Sequence, residues 1–198
     1  MTDDGLVRCP WALDPPEYRR YHDEEWGRPV VDDNRLFEKL CLEGFQAGLS
    51  WLTILRKRDA FRRAFARFEP AAVAQFGPAE VERLLVDASI VRHRGKIEAT
   101  IANARATVEV QEQEGSLATL VWRYEPPAGP APVAMGDLPS TTAESTALSR
   151  ELRRRGFRFV GPTTVYAAMQ SLGLVNDHLA DCHARPAVEA ARAVLTRP

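Results

Sequence analysis

The sequence predicts an all-α fold, and three observations carry that prediction. Apolar residues recur at three- and four-residue spacing along nearly the whole chain, and no run alternates apolar with polar residues as a half-buried strand would. The breaks between periodic segments fall at proline, glycine and Ser/Thr positions that start and stop helices. With 198 residues, 45% of them hydrophobic, the chain is long enough to bury one core. A single domain is therefore expected over residues 1–198, with 8–183 as its body and 184–198 as an alanine-rich terminal helix without evident chemistry.

The segment over about residues 34–48 is apolar on nearly every side, the pattern of a helix buried all round. Ser50 is placed to cap the next helix, which the pattern carries through Trp51, Ile54, Leu55, Phe61, Ala64, Phe65 and Phe68 until Glu69-Pro70 ends it. Pro70 and Pro78 open two short segments, since proline is tolerated in a first helical turn. The second, 79–87, is joined by a compact turn over 88–94 to a long helix over about 95–114, which makes a helix, hairpin, helix unit with basic residues at its tip. Gly115-Ser116 begin a further segment carrying Leu120, Val121 and Trp122. Four prolines and a glycine within 126–135 then mark a loop. Ser140-Thr141-Thr142 precede a helix running to Arg155, stopped by its basic last turn and Gly156. Pro162 opens a helix with Val165, Tyr166, Met169 and Leu172 that Gly173 ends.

A net charge of −1 gives no overall electrostatic footprint for nucleic acid, so any such contact has to come from local clusters. Two clusters exist, Arg92-His93-Arg94-Gly95-Lys96 and Arg153-Arg154-Arg155-Gly156-Phe157-Arg158, and either also reads as a solvated helix end. No stretch approaches the roughly 20 apolar residues of a membrane span. The opening residues 1–7 are acidic where a secretory signal would be basic and then apolar, so a cytoplasmic protein with no membrane association is expected. Three cysteines are an odd count that argues against a disulfide framework and for thiols that are buried, reactive or metal-bound.

Two constellations carry chemistry. Cys9 and His22 near one end, with His178 and Cys182 near the other, are two thiols and two imidazoles, the ligand types of a tetrahedral zinc site. The four-residue spacing of His178 and Cys182 puts them on one face of a helical turn, but nothing local places Cys9 or His22. A buried cysteine and unrelated histidines are the plainer alternative. Glu43, in turn, shares the stripe of Leu36, Leu40 and Ala47, so a carboxylate is carried into the interior, where it costs several kcal/mol unless it finds donors. It is either a functional group or a structural acceptor for a neighbouring helix. Around it the chain supplies Trp11, Tyr18, Tyr21, Trp26 and Trp51, which are either core or the walls of a pocket for a flat, hydrogen-bonding base.

Several longer strings resemble the type I 3-methyladenine DNA glycosylase family: Arg8-Cys9-Pro10-Trp11, Tyr21-His22-Asp23-Glu24-Glu25-Trp26-Gly27, Leu42-Glu43-Gly44-Phe45-Gln46-Ala47-Gly48-Leu49-Ser50-Trp51, Ile90-Val91-Arg92-His93-Arg94-Gly95-Lys96-Ile97, Gly156-Phe157-Arg158-Phe159-Val160-Gly161 and Gly173-Leu174-Val175-Asn176-Asp177-His178. They run in consistent order from about residue 8 to 183. The resemblance implies a helix-hairpin-helix glycosylase fold that binds double-stranded alkylated DNA as a monomer and hydrolyses the N-glycosidic bond of 3-methyladenine for base-excision repair. It implies a structural zinc on Cys9, His22, His178 and Cys182 that clips the termini together. It implies that Glu43 recognises the base and serves catalysis, with Tyr21, Trp51, Trp26 and Trp11 as its hydrogen-bonding and stacking partners. The hairpin over 84–97 would hold the DNA backbone through main-chain N–H groups and through Arg92, Arg94 and Lys96. Ser89 stands where a glycine is expected at the tight turn. No lysine is placed by motif to form a Schiff base, so hydrolysis without strand cleavage is expected. A non-catalytic module that binds alkylated DNA is one alternative; a zinc hydrolase is the other, against which the full complement of four ligands stands.

Overall fold

In a computed structural model that describes residues 4–198, the chain forms ten α-helices and no strand among those residues. Of the acidic opening segment, residues 1–3 lie outside the described residues. The helices are α1 (Pro16–Glu24), α2 (Asp33–Gln46), α3 (Trp51–Ala64), α4 (Pro70–Ala74), α5 (Pro78–Val86), α6 (Arg94–Glu114), α7 (Leu117–Trp122), α8 (Ala143–Arg154), α9 (Pro162–Ser171) and α10 (Arg185–Ala193). Among the described residues, no helix is long and apolar enough to cross a membrane.

The all-round apolar pattern of α2 places it at the centre, where α3, α6, α7 and α9 cover it. Asp32 caps its start by accepting from the Arg35 N–H at 2.9 Å. Its neighbour Asp33 caps a different helix, accepting from Leu117 N and Ala118 N at 2.9 Å each and so fixing α7 against the start of α2. Ser50, Ser116 and Thr142 cap α3, α7 and α8 in the same way, each accepting from the N–H three residues on. Gly173 ends α9 with φ of 75°, and the position has a second reason to lack a side chain: a Cβ there would lie 2.5 Å from main-chain atoms of Gly27 and Pro29.

The expected helix from Ser50 through Phe68 stops early. The α-helical part of α3 ends at Ala64, and Ala66, Arg67 and Phe68 follow with φ of 48°, 56° and 56°. Left-handed backbone costs roughly 1–2 kcal/mol per residue. Here it turns the chain toward α4 while Phe61, Phe65 and Phe68 all stay fully buried in one ring cluster with Phe37 and Phe45. Ring burial offsets the backbone cost, a tertiary gain that the helical periodicity could not foretell.

The second correction concerns Lys96. It sits in the basic cluster at the hairpin, but the first turn of α6 directs its side chain inward, where its ammonium donates to Phe45 O at 2.9 Å and Ala47 O at 2.5 Å. These carbonyls belong to the last turn of α2, where helix C-termini leave acceptors unsatisfied and favour a cation. Lys96 is thus a cap on α2 and not a free cation for phosphate. Two buried carbonyls losing their donor cost about 2 kcal/mol, so Lys96→Met is expected to lower Tm by roughly 4–8 °C for a chain of this size. Differential scanning calorimetry of the variant checks this.

Candidate active site and metal centre

The sequence of α1 alternates its duties residue by residue. Tyr18 accepts from Leu52 N at 2.9 Å and so helps to cap α3. Tyr21 and Trp51 lie with ring centroids 5.5 Å apart. His22 turns to the opposite side, against Trp11 and Trp26. Trp11, from the short 3-10 turn Pro10–Ala12, meets Trp26 edge to face at 5.1 Å. Together Trp11, Tyr18, Tyr21, Trp26 and Trp51 wall an aromatic cavity of about 260 Å³, with Glu43 at its base. That is just under the roughly 300 Å³ at which drug-sized pockets begin, a space suited to one flat heterocycle. Met135 and Leu138, beyond the proline-rich loop, and Gln46 and Gln170 complete the rim. The indole Nε1 of Trp51 is buried with no acceptor among the described residues.

Glu43 is buried, as its place on the apolar stripe of α2 predicts, but it is not unpaired. Lys39, one turn earlier, donates to Glu43 Oε1 at 2.9 Å, to the Tyr21 hydroxyl at 2.7 Å, and rests 3.5 Å above the centroid of the Trp51 ring. Burial is the largest single influence and opposes its charge, yet Glu43 and Tyr21 together outweigh it and hold its pKa above the ordinary value for lysine. The signal for this pair was in the sequence as an i, i+4 Lys-Glu spacing. It went unread because a lysine on an apolar helix face usually extends to solvent.

The four residues from opposite ends of the chain meet. Cys9, His22, His178 and Cys182 are all buried, and their ligand atoms lie within 4.8 Å of one another. The separations are 3.8 Å from Cys9 Sγ to His178 Nδ1, 3.1 Å from His178 Nδ1 to His22 Nε2, and 3.4 Å from Cys182 Sγ to each of those nitrogens. The far ring nitrogens are anchored too, His22 Nδ1 to Asp23 Oδ1 at 2.8 Å and His178 Nε2 to Trp26 O at 3.0 Å. Anchoring of this kind orients imidazoles toward a metal. The hydrogen bond between the sulfurs, then burial, pushes the Cys9 thiol up, while the same bond with help from His178 and His22 pulls Cys182 down. The cluster is a site able to hold a metal ion. One local expectation is revised: residues 178–182 form a turn closed by Cys182 N donating to Leu179 O at 2.9 Å, not a turn of α-helix. His183 instead bonds Asp23 at 3.0 Å.

The segment between α5 and α6 is the expected compact turn. Ser89 does not adopt positive φ there; its N–H and hydroxyl both donate to Asp87 Oδ1, at 2.9 and 2.5 Å. A side-chain hydrogen bond thus does locally what a glycine would have done by conformational freedom. Lys57 of α3, missed in the sequence, donates to Ala88 O and Ser89 O and holds the turn from below. Arg92 and Arg94 are exposed there, Arg94 in ion pairs with Glu82 and Glu98. Of the other basic cluster, Arg154 and Arg155 are engaged by Glu151, and Arg155 also by Glu114, so these two have their own counter-charges, while Arg153 and Arg158 are exposed.

Removing Glu43 altogether leaves the Lys39 ammonium buried without its counter-ion, a loss of about 3–5 kcal/mol. Glu43→Ala is therefore expected to lower Tm by on the order of 10 °C. Glu43→Gln, which retains an acceptor for Lys39, should lower it by less than half as much. Parallel thermal unfolding of the two variants tests the ordering.

With this geometry in hand, comparison with known proteins is informative. The sequence model of the methyladenine glycosylase family matches residues 11–185. The chain is 46% identical over 183 residues to DNA-3-methyladenine glycosylase 1 of Escherichia coli (strain K12), covering 91% of this chain and 98% of that protein. It is 43% identical over 179 residues to the DNA-3-methyladenine glycosylase of Haemophilus influenzae, covering 89% and 96%. A crystal structure of 3-methyladenine DNA glycosylase I superposes with a TM-score of 0.88 at 45% identity, covering 91% of this chain and all of that one. The Staphylococcus aureus enzyme, solved to explain its recognition of 3-methyladenine, superposes at 0.87 with 37% identity, covering 91% and 97%. The regular elements of the described residues are all helices, and the chain belongs to the methyladenine glycosylase family.

Proposed function

We propose that this protein hydrolyses the N-glycosidic bond of 3-methyladenine in alkylated DNA, releasing the free base and leaving an abasic site. The observation that carries the reading is a buried carboxylate, Glu43, at the base of a cavity walled by Trp11, Tyr21, Trp26 and Trp51, in a chain of the methyladenine glycosylase family. An adenine methylated at N3 within DNA bears a positive charge. When its bond to C1′ breaks, the bonding electrons go to the base, which leaves neutral, and the charge passes to the sugar until water adds there and gives up a proton. Little general-acid help is needed, so the protein's work is to extract the nucleotide from the stack, hold its ring between aromatic faces and accept its N–H at Glu43. No Schiff base is required. Cytoplasmic location and a monomeric state fit this reading.

The Cys9, His22, His178 and Cys182 cluster is proposed to hold zinc. Tetrahedral zinc with roughly 2.3 Å bonds to sulfur and 2.0–2.1 Å bonds to nitrogen sets its ligand atoms roughly 3.3–3.8 Å apart. Four of the six separations among the ligand atoms are 3.1–3.8 Å, near that span, and all six are within 4.8 Å. Four protein ligands leave no open position, so the ion's contribution is to tie the N-terminal segment to the turn over 178–182. The turn between α5 and α6 is proposed to grip the DNA backbone in helix-hairpin-helix fashion, with main-chain N–H groups and with Arg92 and Arg94 in place of the inward-facing Lys96.

Three outcomes are expected. Chromatography of bases freed from methylated DNA should show 3-methyladenine, with Glu43→Gln reducing the rate about 30-fold, the equivalent of about 2 kcal/mol for a lost charge-assisted hydrogen bond. Binding of the same DNA without release would make the protein a recognition module. Elemental analysis should give one zinc per chain, with Cys182→Ala losing both the metal and much of the stability; a zinc-free preparation with unchanged melting would remove the metal from the account. Neutralising Arg92 should weaken DNA binding uniformly across sequences and reduce the magnitude of the salt slope by about one. An unaltered slope for Arg92 and Arg94 variants places the backbone contact elsewhere.

A further inference from the structure

We infer that Lys39 is a positioning residue that decides which base edge the aromatic cavity reads; the inference rests on the glycosylase reading above. An ammonium has three N–H donors and no acceptor, and each donor of Lys39 has a destination. They are Glu43 Oε1 at 2.9 Å, the Tyr21 hydroxyl oxygen at 2.7 Å and the Trp51 ring at 3.5 Å. Those three residues face the aromatic cavity. Lys39 itself does not line it but lines a smaller, charged cavity on the other side of Tyr21 and Trp51, beside Glu25 and Arg58. It therefore reaches a bound base only through the groups it holds.

The consequences are specific. Paired with the Lys39 ammonium at 2.9 Å, the Glu43 carboxylate stands in the cavity wall as an acceptor. A phenol oxygen that accepts an N–H from Lys39 keeps its own proton for another partner, and Tyr21 donates to no other described residue. The cavity thus presents an acceptor beside a donor. The matching ligand edge is a donor beside an acceptor, which adenine offers as its exocyclic amino group and neighbouring ring nitrogen. Guanine offers two acceptors, O6 and N7, at the equivalent edge, where its carbonyl would face the Glu43 carboxylate, and it can match the pattern only by turning its N1–H and O6 edge into the cavity. Lys39 is in this way the origin of a preference for amino- over oxo-purines.

The test is a double-mutant cycle on the whole protein, with free 3-methyladenine and free 3-methylguanine as probes and calorimetric titration as readout. Wild type, Lys39→Met, Glu43→Gln and the double variant are compared, with Tm recorded for each. Lys39→Met is expected to weaken 3-methyladenine binding about tenfold or more and to narrow the preference between the two bases. In the Glu43→Gln background the same substitution should change affinity less than about threefold, because the group through which it acts has already lost its charge. If Lys39→Met does not fold, Lys39→Gln, which removes the charge but keeps an N–H donor on a side chain one atom shorter, carries the cycle. Equal losses in both backgrounds, or an unchanged base preference, overturn the inference, since a merely structural lysine would produce them. Release of 3-methyladenine from methylated DNA by the wild type is measured on the same preparation. No release and no binding sink the glycosylase reading itself, whereas release with an additive cycle sinks only the role of Lys39.

Discussion

An ionised carboxylate in a protein interior costs several kcal/mol unless donors surround it, and α2 carries one among Leu40, Leu42 and Phe45 at the centre of the molecule. The arrangement around Glu43 answers that cost. Lys39 supplies the counter-charge from one helical turn away, and its remaining donors are absorbed by Tyr21 of α1 and Trp51 of α3. Two helices are thereby pinned to α2 through one ammonium, in the geometry that opens the aromatic cavity. A buried ion pair of this kind adds little net stability compared with apolar packing. What it contributes is a fixed polar pattern in an otherwise greasy wall.

The cysteine-histidine cluster and the aromatic cavity share that wall. Tyr21 and His22 are consecutive on α1, and helical geometry sends their side chains in different directions, one toward Glu43 and the other toward the cysteines. His178 bonds Trp26 O and also packs against its ring at 4.7 Å, while Trp11 bridges Trp26 and His22. Any disturbance of the cluster therefore reaches the cavity through two tryptophans. Residues 178–182 complete the N-terminal wall, and α10 beyond them contributes the fully buried Val188 and the ion pairs of Arg185 with Glu189 and of Arg192 with Glu125.

The electrostatics are local. With a net charge of −1 the protein has no long-range field for an anionic polymer, and most of its cations are committed internally. Lys39 neutralises Glu43, Lys96 caps α2, Lys57 braces the turn after α5, and Arg154 and Arg155 neutralise Glu151 and Glu114. Arg92 keeps an exposed position at the turn. Clusters of basic residues in a sequence are thus poor guides to a binding surface until each side chain's direction is known.

Much of this protein was legible without coordinates. Periodicity, caps and proline positions determined an all-α chain with α2 buried, and the ligand types at positions 9, 22, 178 and 182 determined what kind of site they could form if they met. Glu43 was conspicuous because charge on an apolar stripe contradicts the cost of burial. What tertiary structure alone decided were the outcomes of competition between distant groups. The break after Ala64 follows from ring packing among α2, α3 and the turn that follows it, the inward turn of Lys96 from carbonyls some 50 residues away in sequence, and the pairing of Lys39 from a hydroxyl on another helix. Local spacing fixes which face a side chain occupies. Only the assembled core determines whether that face meets solvent, a carbonyl or a buried anion, because burial and dielectric are properties of the neighbours and not of the residue.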